Sequence, residues 1–449
     1  MANEFLKDKR FEGIHPFEKR VLLASPTMHP TEDEKSWVEL EYVREAFVEN
    51  WITCAGTNLT EYEKLTKEYL GADYVVGLSC GTAAIHLAIK IAAQKIYGSS
   101  SGITTPDGLG AGGSLYGKRA FCTDLTFGAT VNPIMYEGGE PVFIDSECET
   151  WNMSPKALEK AFEIYPDVKL VVMAHLYGVP GKIDEIKEIC DRHGAILIED
   201  AAESFGATYK GQQTGTFTEL GIISHNGNKI VTGSAGGALI CKNKEDADKA
   251  RKWSTQAREA SQWYEHEEVG YNYRMSNIIA GILRGQYEYI DEHIKRKKEI
   301  YERYRDGLKD IPVQMNPIGG EETNPNYWLS CLIIDKDAMS DTNRSERGVT
   351  YREEKGKSSP SEILDVLNAF NAEGRPIWKP MHMQPIYRNN AYITESGSGR
   401  GTSNAYIPGG QSASVSEDIF ERGLCLPSDN KMTEEQQRTV VEIIKRCFG

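Results

Sequence analysis

The chain has no long apolar run, no paired-cysteine motif and no dense stretch of basic residues, and each absence removes a class of function. The longest apolar stretches, such as Leu170 to Ala174, are strand-sized, so none could span a bilayer. The amino-terminal MANEFLKDKRFEG is charged and lacks the apolar core of a secretory signal, from which a cytoplasmic location is expected. Nine cysteines are scattered with neither a CxxC pair nor a zinc-like spacing. Such an odd, dispersed set reads as free thiols in a reducing compartment, and no metal site is expected. The formal net charge is -15, from 51 basic and 66 acidic residues, and no segment concentrates enough Lys and Arg to reverse it. Nucleic acid and anionic membrane are therefore not expected as partners, and an anionic ligand must be held by a few placed donors. No internal repeat is visible.

What is present is an ordinary globular balance, with 40% hydrophobic and 26% charged residues in 449. That length exceeds one core and implies two domains. Short β-rich runs at Tyr74 to Leu78, Ala120 to Cys122, Pro141 to Asp145, Leu170 to Ala174, Ala195 to Glu199, Gly221 to Ser224 and Gly237 to Cys241 alternate with helical patterns such as Thr82 to Ile96 and Pro155 to Ile164. This alternation predicts an α/β domain on a mostly parallel sheet. Ile279, Ile282, Leu283, Tyr287, Ile290 and Ile294 keep a helical period and lead out of that domain. The expected division is a large domain over residues 1–290, with an amino-terminal arm, and a smaller α+β domain over 291–449. Three polar or Gly/Ser-rich segments, 99–117, 337–359 and 390–414, read as surface insertions.

Three segments carry candidate chemistry. The apolar run Ile196-Leu-Ile-Glu-Asp200 ends in an acid, and open α/β sheets bind ligands beyond the carboxyl ends of their strands. Taken alone, Asp200 is more often a cap on the next turn. Lys229 follows the strand at Gly221 to Ser224, among Gly227, Gly233, Gly236 and Gly237, which would let backbone approach a ligand closely. A lysine is most often a solvated surface group; its functional alternative is a Schiff base with an aldehyde cofactor. Ser79-Cys-Gly-Thr-Ala-Ala84 runs from strand to helix, and Gly81 and Thr82 there are either phosphate donors or a plain capped turn. The formal GxGxxG at Gly108 to Gly113 follows a Ser/Thr/Pro stretch instead of a strand, which argues against a nicotinamide dehydrogenase. Cys80 has no histidine placed to activate it and reads as a buried structural thiol.

Seven segments in order, SCGTAAIHLAI, DLTFGATVNPI, ILIEDAAESFGATYKG, SHNGNKIVTGSAGGAL, GYNYRMSNI, WKPMHMQP and GLCLPS, resemble the DegT/DnrJ/StrS family of sugar aminotransferases. The resemblance spans about Val21 to the carboxyl terminus, apart from the three insertions. It implies the aspartate-aminotransferase fold (type I), with pyridoxal 5'-phosphate (PLP) as cofactor. Lys229 matches the family's Schiff-base lysine and Asp200 the acid that pairs with the pyridinium nitrogen. Phe127 matches the ring that stacks on the cofactor, and Gly81, Thr82 and Ser224 match the phosphate cradle. Asn272 matches a residue reaching the phosphate from a partner subunit, which implies a homodimer with shared active sites. Many members place Gln or His where this chain has Glu203; an ionised carboxylate cannot donate to the cofactor's phenolic oxygen.

The segments NWITCAGTNLTEYE, NYWLSC, RPIWKPMHMQP and FERGLCLPS resemble the branch that makes 4-amino sugars for bacterial glycan precursors. The implied reaction takes an amino group from glutamate to a nucleotide-linked 4-keto-6-deoxy-N-acetylhexosamine, carried on UDP. Arg274, Tyr327, Arg375, Lys379 and His382 fall in segments that resemble the sugar-nucleotide pocket. For His382, a packed loop histidine is an equal alternative. Two other functions share the fold: a PLP-dependent sugar dehydratase, in which histidine replaces the lysine, and a non-catalytic PLP-binding regulator, in which lysine or acid is lost. Lys229 and Asp200 are both present, which argues for transamination.

Overall fold

A computed structural model describes residues 2–29, 37–98, 113–345, 347–398 and 414–449. The first part of the chain contributes β1 (Tyr74–Leu78), β2 (Arg119–Thr123), β3 (Glu140–Ile144), β4 (Leu170–Ala174), β5 (Ile196–Asp200), β6 (Leu220–Ser224) and β7 (Gly237–Cys241). Later come β8 (Val313–Met315), β9 (Cys331–Ile334), β10 (Thr342–Arg344), β11 (Val349–Tyr351), β12 (Arg375–Pro376), β13 (Tyr392–Thr394), β14 (Gly397–Ser398) and β15 (Gly423–Cys425). The main sheet has the order β1-β7-β6-β5-β4-β2-β3-β13-β14. Its centre is parallel, with β7 the antiparallel member between β1 and β6. Apolar runs such as LVVMA in β4 are buried along their whole length, as a parallel strand covered on both faces requires. The seven sequence-predicted strands all appear, each end within one residue.

Helix α1 (Gly81–Tyr97) is apolar nearly all round and lies inside the core against this sheet, with α2 (Gly128–Tyr136) beside it. The expected single helix from Ile279 to Ile294 is two, α3 (Asn277–Tyr287) and α4 (Ile290–Leu308). Between them Tyr289 leaves helical geometry, and its ring stacks on His29 at 3.9 Å. A second core forms around the antiparallel sheet β8-β9-β15-β12, where Leu332, Tyr304, Val366 and Val440 meet.

Two features cross the division expected at residue 290. The amino-terminal arm packs into the second core through Phe5, Phe11 and Val21, and Arg10 pairs with the buried Glu362 at 2.8 Å. The segment 390–414 is not wholly a surface insertion either: β13 returns to the main sheet and pairs in parallel with β3. That pairing covers an otherwise open row of backbone donors and acceptors. Segment 337–359 folds in part as the β10–β11 hairpin, and Leu115, near the end of 99–117, is fully buried. Of the GxGxxG only Gly113 lies within the described residues. Helix α5 (Val415–Arg422) follows the third segment. Among the described residues no helix is long and apolar enough to cross a membrane. Among the same residues, no group of three or more His, Cys, Asp or Glu is placed to hold a metal.

Candidate active site

The carboxyl ends of β1, β2, β5 and β6 lie on one edge of the main sheet, where an open α/β sheet places its ligands. β1 passes through Ser79 and Cys80 into α1. Cys80 is half-buried, not a core thiol, because its Sγ caps α1 by accepting from the Ala83 N–H at 3.4 Å. A Cβ on Gly81 would lie 2.8 Å from the Ser224 Cβ, and one on Gly237 would lie 2.6 Å from the Cys80 carbonyl carbon and the Gly81 nitrogen. Only glycine lets the turn, the end of β6 and the start of β7 crowd together in this way. The first-turn N–H groups of Gly81 and Thr82, which have no acceptor within the helix, and Ser224 thus come to line one concavity.

Strand alternation separates the two acids that end β5. Glu199 is buried away from the concavity and accepts from Gly215 N–H (2.6 Å), Phe217 N–H (2.9 Å) and the His175 ring (2.9 Å). Asp200 lines the concavity, with Oδ2 accepting from the Thr130 hydroxyl at 2.8 Å and Oδ1 from the Ala202 N–H at 3.0 Å. Burial pushes its pKa up, opposed by those two hydrogen bonds and by Lys229.

The loop after β6 carries Lys229 and is pinned through three carbonyls. Trp328 Nε1–H donates to Asn228 O at 2.6 Å, His293 Nδ1–H to Ile230 O at 2.7 Å, and His225 Nδ1–H to Val231 O at 3.1 Å. Burial lowers the pKa of His225 to about 4, so the ring is neutral and its Nε2 accepts from the Tyr62 hydroxyl at 2.9 Å. Lys229 Nζ stands 3.6 Å from Glu203 Oε1 and 3.8 Å from the Trp328 ring centroid. Burial draws its pKa down while Glu203 and Asp200 oppose the shift. Glu203 accepts from the Tyr177 N–H at 2.8 Å through its other oxygen, and burial raises its pKa against the pull of Lys229.

These groups share a cavity of about 290 Å³. Gly81, Thr82, Phe127, Asp200, Glu203, Ser224 and Lys229 all line it. The Phe127 ring is 55% exposed, an apolar face left open at the wall, 5.2 Å from the Trp378 ring. A second cavity, of about 640 Å³, has Asn228 and Trp378 in common with the first and is lined by Arg375 and Lys379 among others.

The remaining sequence-predicted residues are elsewhere. Asn272 faces solvent on its own chain and lines neither cavity. Arg274 is held away from both by Glu63 Oε1 (2.6 Å) and Gly77 O (2.8 Å), which tie it to β1. Tyr327 has a positive φ of 56° and packs on Tyr301 at 5.4 Å, also away from both. His382 is buried between Asp124 and Glu417. Sequence reading missed Thr130, Trp328 and Trp378 as cavity residues. The motifs NYWLSC and RPIWKPMHMQP contain both tryptophans, but a single Trp has no spacing that tells a cavity wall from a core ring.

The model of the DegT/DnrJ/EryC1/StrS aminotransferase family matches residues 33–445. The chain is 38% identical over 437 residues, 96% of each chain, to the "Putative pyridoxal phosphate-dependent aminotransferase EpsN" of Bacillus subtilis. It is 30% identical over 411 residues to the GDP-perosamine synthase of Escherichia coli O157:H7, covering 92% of this chain and 96% of that one. The fold matches the solved structure of the aminotransferase TlmJ from Streptoalloteichus hindustanus, with a TM-score of 0.74 at 22% identity, over 95% of this chain and 98% of that one.

His382 yields a pH prediction. Its Nδ1 meets Asp124 Oδ2 at 2.8 Å and its Nε2 meets Glu417 Oε1 at 2.7 Å, so both nitrogens donate and the ring is an imidazolium. Burial alone would lower its pKa, but the two carboxylates outweigh it and raise the value to about 9. A pKa raised above the ordinary 6.5 contributes stability that is complete below 6.5 and lost as pH climbs through about 9. The thermal midpoint should therefore decline over that window, and His382→Gln should flatten the decline. An unchanged pH slope in the variant would remove the imidazolium from the account.

Proposed function

Because the chain belongs to the DegT/DnrJ/EryC1/StrS aminotransferase family, as a PLP-dependent sugar aminotransferase, we propose that it moves an amino group from glutamate to C4 of a UDP-linked 4-keto-6-deoxy-N-acetylhexosamine. The observation that carries this reading is the meeting of Lys229, Asp200, Phe127 and the Gly81–Ser224 cradle in one cavity. The residues fit the cofactor chemically. The cradle is a concavity that a Cβ would fill, Phe127 offers an open ring face, and a buried acid and a buried amine stand together.

When bound, PLP supplies an aldehyde for capturing amines and a ring that takes up electron density. The Gly81 and Thr82 N–H groups and the Ser224 hydroxyl would hold its phosphate, and Asn272 of a second copy would complete the cradle in a homodimer. Asp200 would hold the proton on the ring nitrogen. Lys229 would be the residue that bonds to the cofactor, and its Nζ would move the proton at the carbon that gains or loses nitrogen. Trp328 and the pinned carbonyls keep that nitrogen in place. The substrate's diphosphate needs local cations on a chain of charge -15, and Arg375 and Lys379 line the adjoining cavity.

Two measurements test this reading. Rates with UDP-, GDP- and dTDP-linked 4-keto sugars, with glutamate as donor, should favour the UDP-linked N-acetylhexosamine. Preference for a GDP- or dTDP-linked sugar, or for a 3-keto sugar, would overturn the substrate and leave the aminotransferase standing. Glu203→Gln keeps an acceptor for Tyr177 and places a donor at the other position, so turnover should stay within about fivefold of wild type. Removing the carboxylate also removes an attraction that raises the Lys229 pKa, so the pH titration of the holoenzyme's visible absorbance should shift downward. A large loss of turnover would give the carboxylate itself a chemical task.

A further inference from the structure

Segment 337–359 interrupts the family pattern, and the reaction as described gives it no role. Its hairpin pairs Thr342 with Tyr351, Asn343 with Thr350 and Arg344 with Val349, and the Ser345 N–H closes the turn on Gly348 O at 2.8 Å. The hairpin is fixed to its surroundings at both strands. The Arg344 guanidinium lies over the Phe420 ring of α5 at 4.3 Å, and the Tyr351 hydroxyl donates to Asp365 at 3.0 Å. So held, the hairpin forms one wall of the 640 Å³ cavity, a volume within the range of ligand pockets.

Among the described residues lining that cavity, Arg344, Arg347, Arg375 and Lys379 are basic and none is acidic. Arg375 pairs with Glu373 at 2.6 Å. Neither Arg344 nor Arg347 has a carboxylate within ion-pair distance among the described residues; Glu421 attracts Arg344 from farther off. Arg344 is partly buried, so its guanidinium sits over the Phe420 ring with part of its hydration removed. Asn228 and Trp378, which line this cavity, also line the one that holds Lys229.

We propose that the β10–β11 hairpin is a phosphate clamp, in which Arg344 and Arg347 bind the diphosphate of the nucleotide-linked substrate beside the reaction cavity. The assignment rests on the nucleotide-sugar reading above and gives a specificity role to a part of the chain outside the family motifs. Guanidinium forks suit phosphate oxygens, so the clamp acts on the diphosphate and is indifferent to the base.

Calorimetric titration of the holoenzyme with UDP, uridine and pyrophosphate tests it. In Arg344→Gln/Arg347→Gln, the Kd for UDP should rise by about tenfold or more, while that for uridine stays as in wild type. Arg344→Lys/Arg347→Lys should recover part of the UDP affinity. Arg305→Gln, which removes one positive charge at an exposed position of α4, should leave it unaltered. KM for the nucleotide-sugar should rise more than kcat falls. Should the double Gln variant fail to fold, Arg347→Gln alone, at the exposed turn, reads the same effect. Wild-type UDP affinity in a folded Gln variant would overturn the clamp, as would failure of the wild-type protein to bind any nucleoside diphosphate. If wild type binds GDP or dTDP in place of UDP, the sugar-nucleotide identity fails while the same variants, titrated with the preferred diphosphate, still decide the clamp.

Discussion

Lys229 stands with Glu203 and Asp200 in a small cavity at the edge of the sheet, and the lysine and each acid act on one another's protonation. Burial drives the ammonium toward neutrality and both carboxylates toward their acid forms. Attraction between Lys229 and each carboxylate drives the three back toward charge, while repulsion from Asp200 holds Glu203 nearer its acid form. A lysine solvated on the surface would stay protonated and unreactive at neutral pH. One buried without acids would lose its proton and much of its capacity to return one. The arrangement between these limits is the constraint that the surrounding structure serves.

That constraint explains features that otherwise look unrelated. The loop carrying Lys229 is short of regular structure, so its carbonyls are taken up by ring N–H donors from Trp328, His293 and His225. Two of those rings, Trp328 and His293, come from distant parts of the chain, so the position of the lysine depends on long-range contacts having formed. Trp328 and Trp378 bring the carboxyl-terminal region over the cavity, and the Asp124–His382–Glu417 network fastens that region to the end of β2. The same stretch of β2 leads to Phe127, three residues beyond Asp124. The charged network and the aromatic wall are thus one mechanical unit.

Much of the scaffold was legible before the structure because its signals are local. Strands β1 to β7 announce themselves as apolar runs of fixed length, and the start of α1 is marked by its Cys-Gly-Thr turn. Ordered motifs placed the cavity residues from Gly81 to Lys229. What escaped is long-range. Tyr392–Thr394 is three residues in a Gly/Ser-rich stretch, and only the open edge of β3 makes it a strand. The arm's attachment to the second core depends on Glu362, more than three hundred residues away. Arg274 and His382 had the charge expected of ligand-binding residues, but Glu63, Asp124 and Glu417 occupy them, and no sequence spacing reveals those partners. The polar composition of 337–359 likewise gave no sign that its hairpin lines a cavity.

The central claim is that Lys229, and no other lysine, bonds to the cofactor. Borohydride reduction of the PLP-loaded protein converts a Schiff base into a stable secondary amine, which peptide mapping by mass spectrometry then locates. The account predicts one modified site, in the peptide containing Asn226, Gly227, Asn228 and Lys229. Modification at a different lysine, or none in protein shown to have bound PLP, would contradict it.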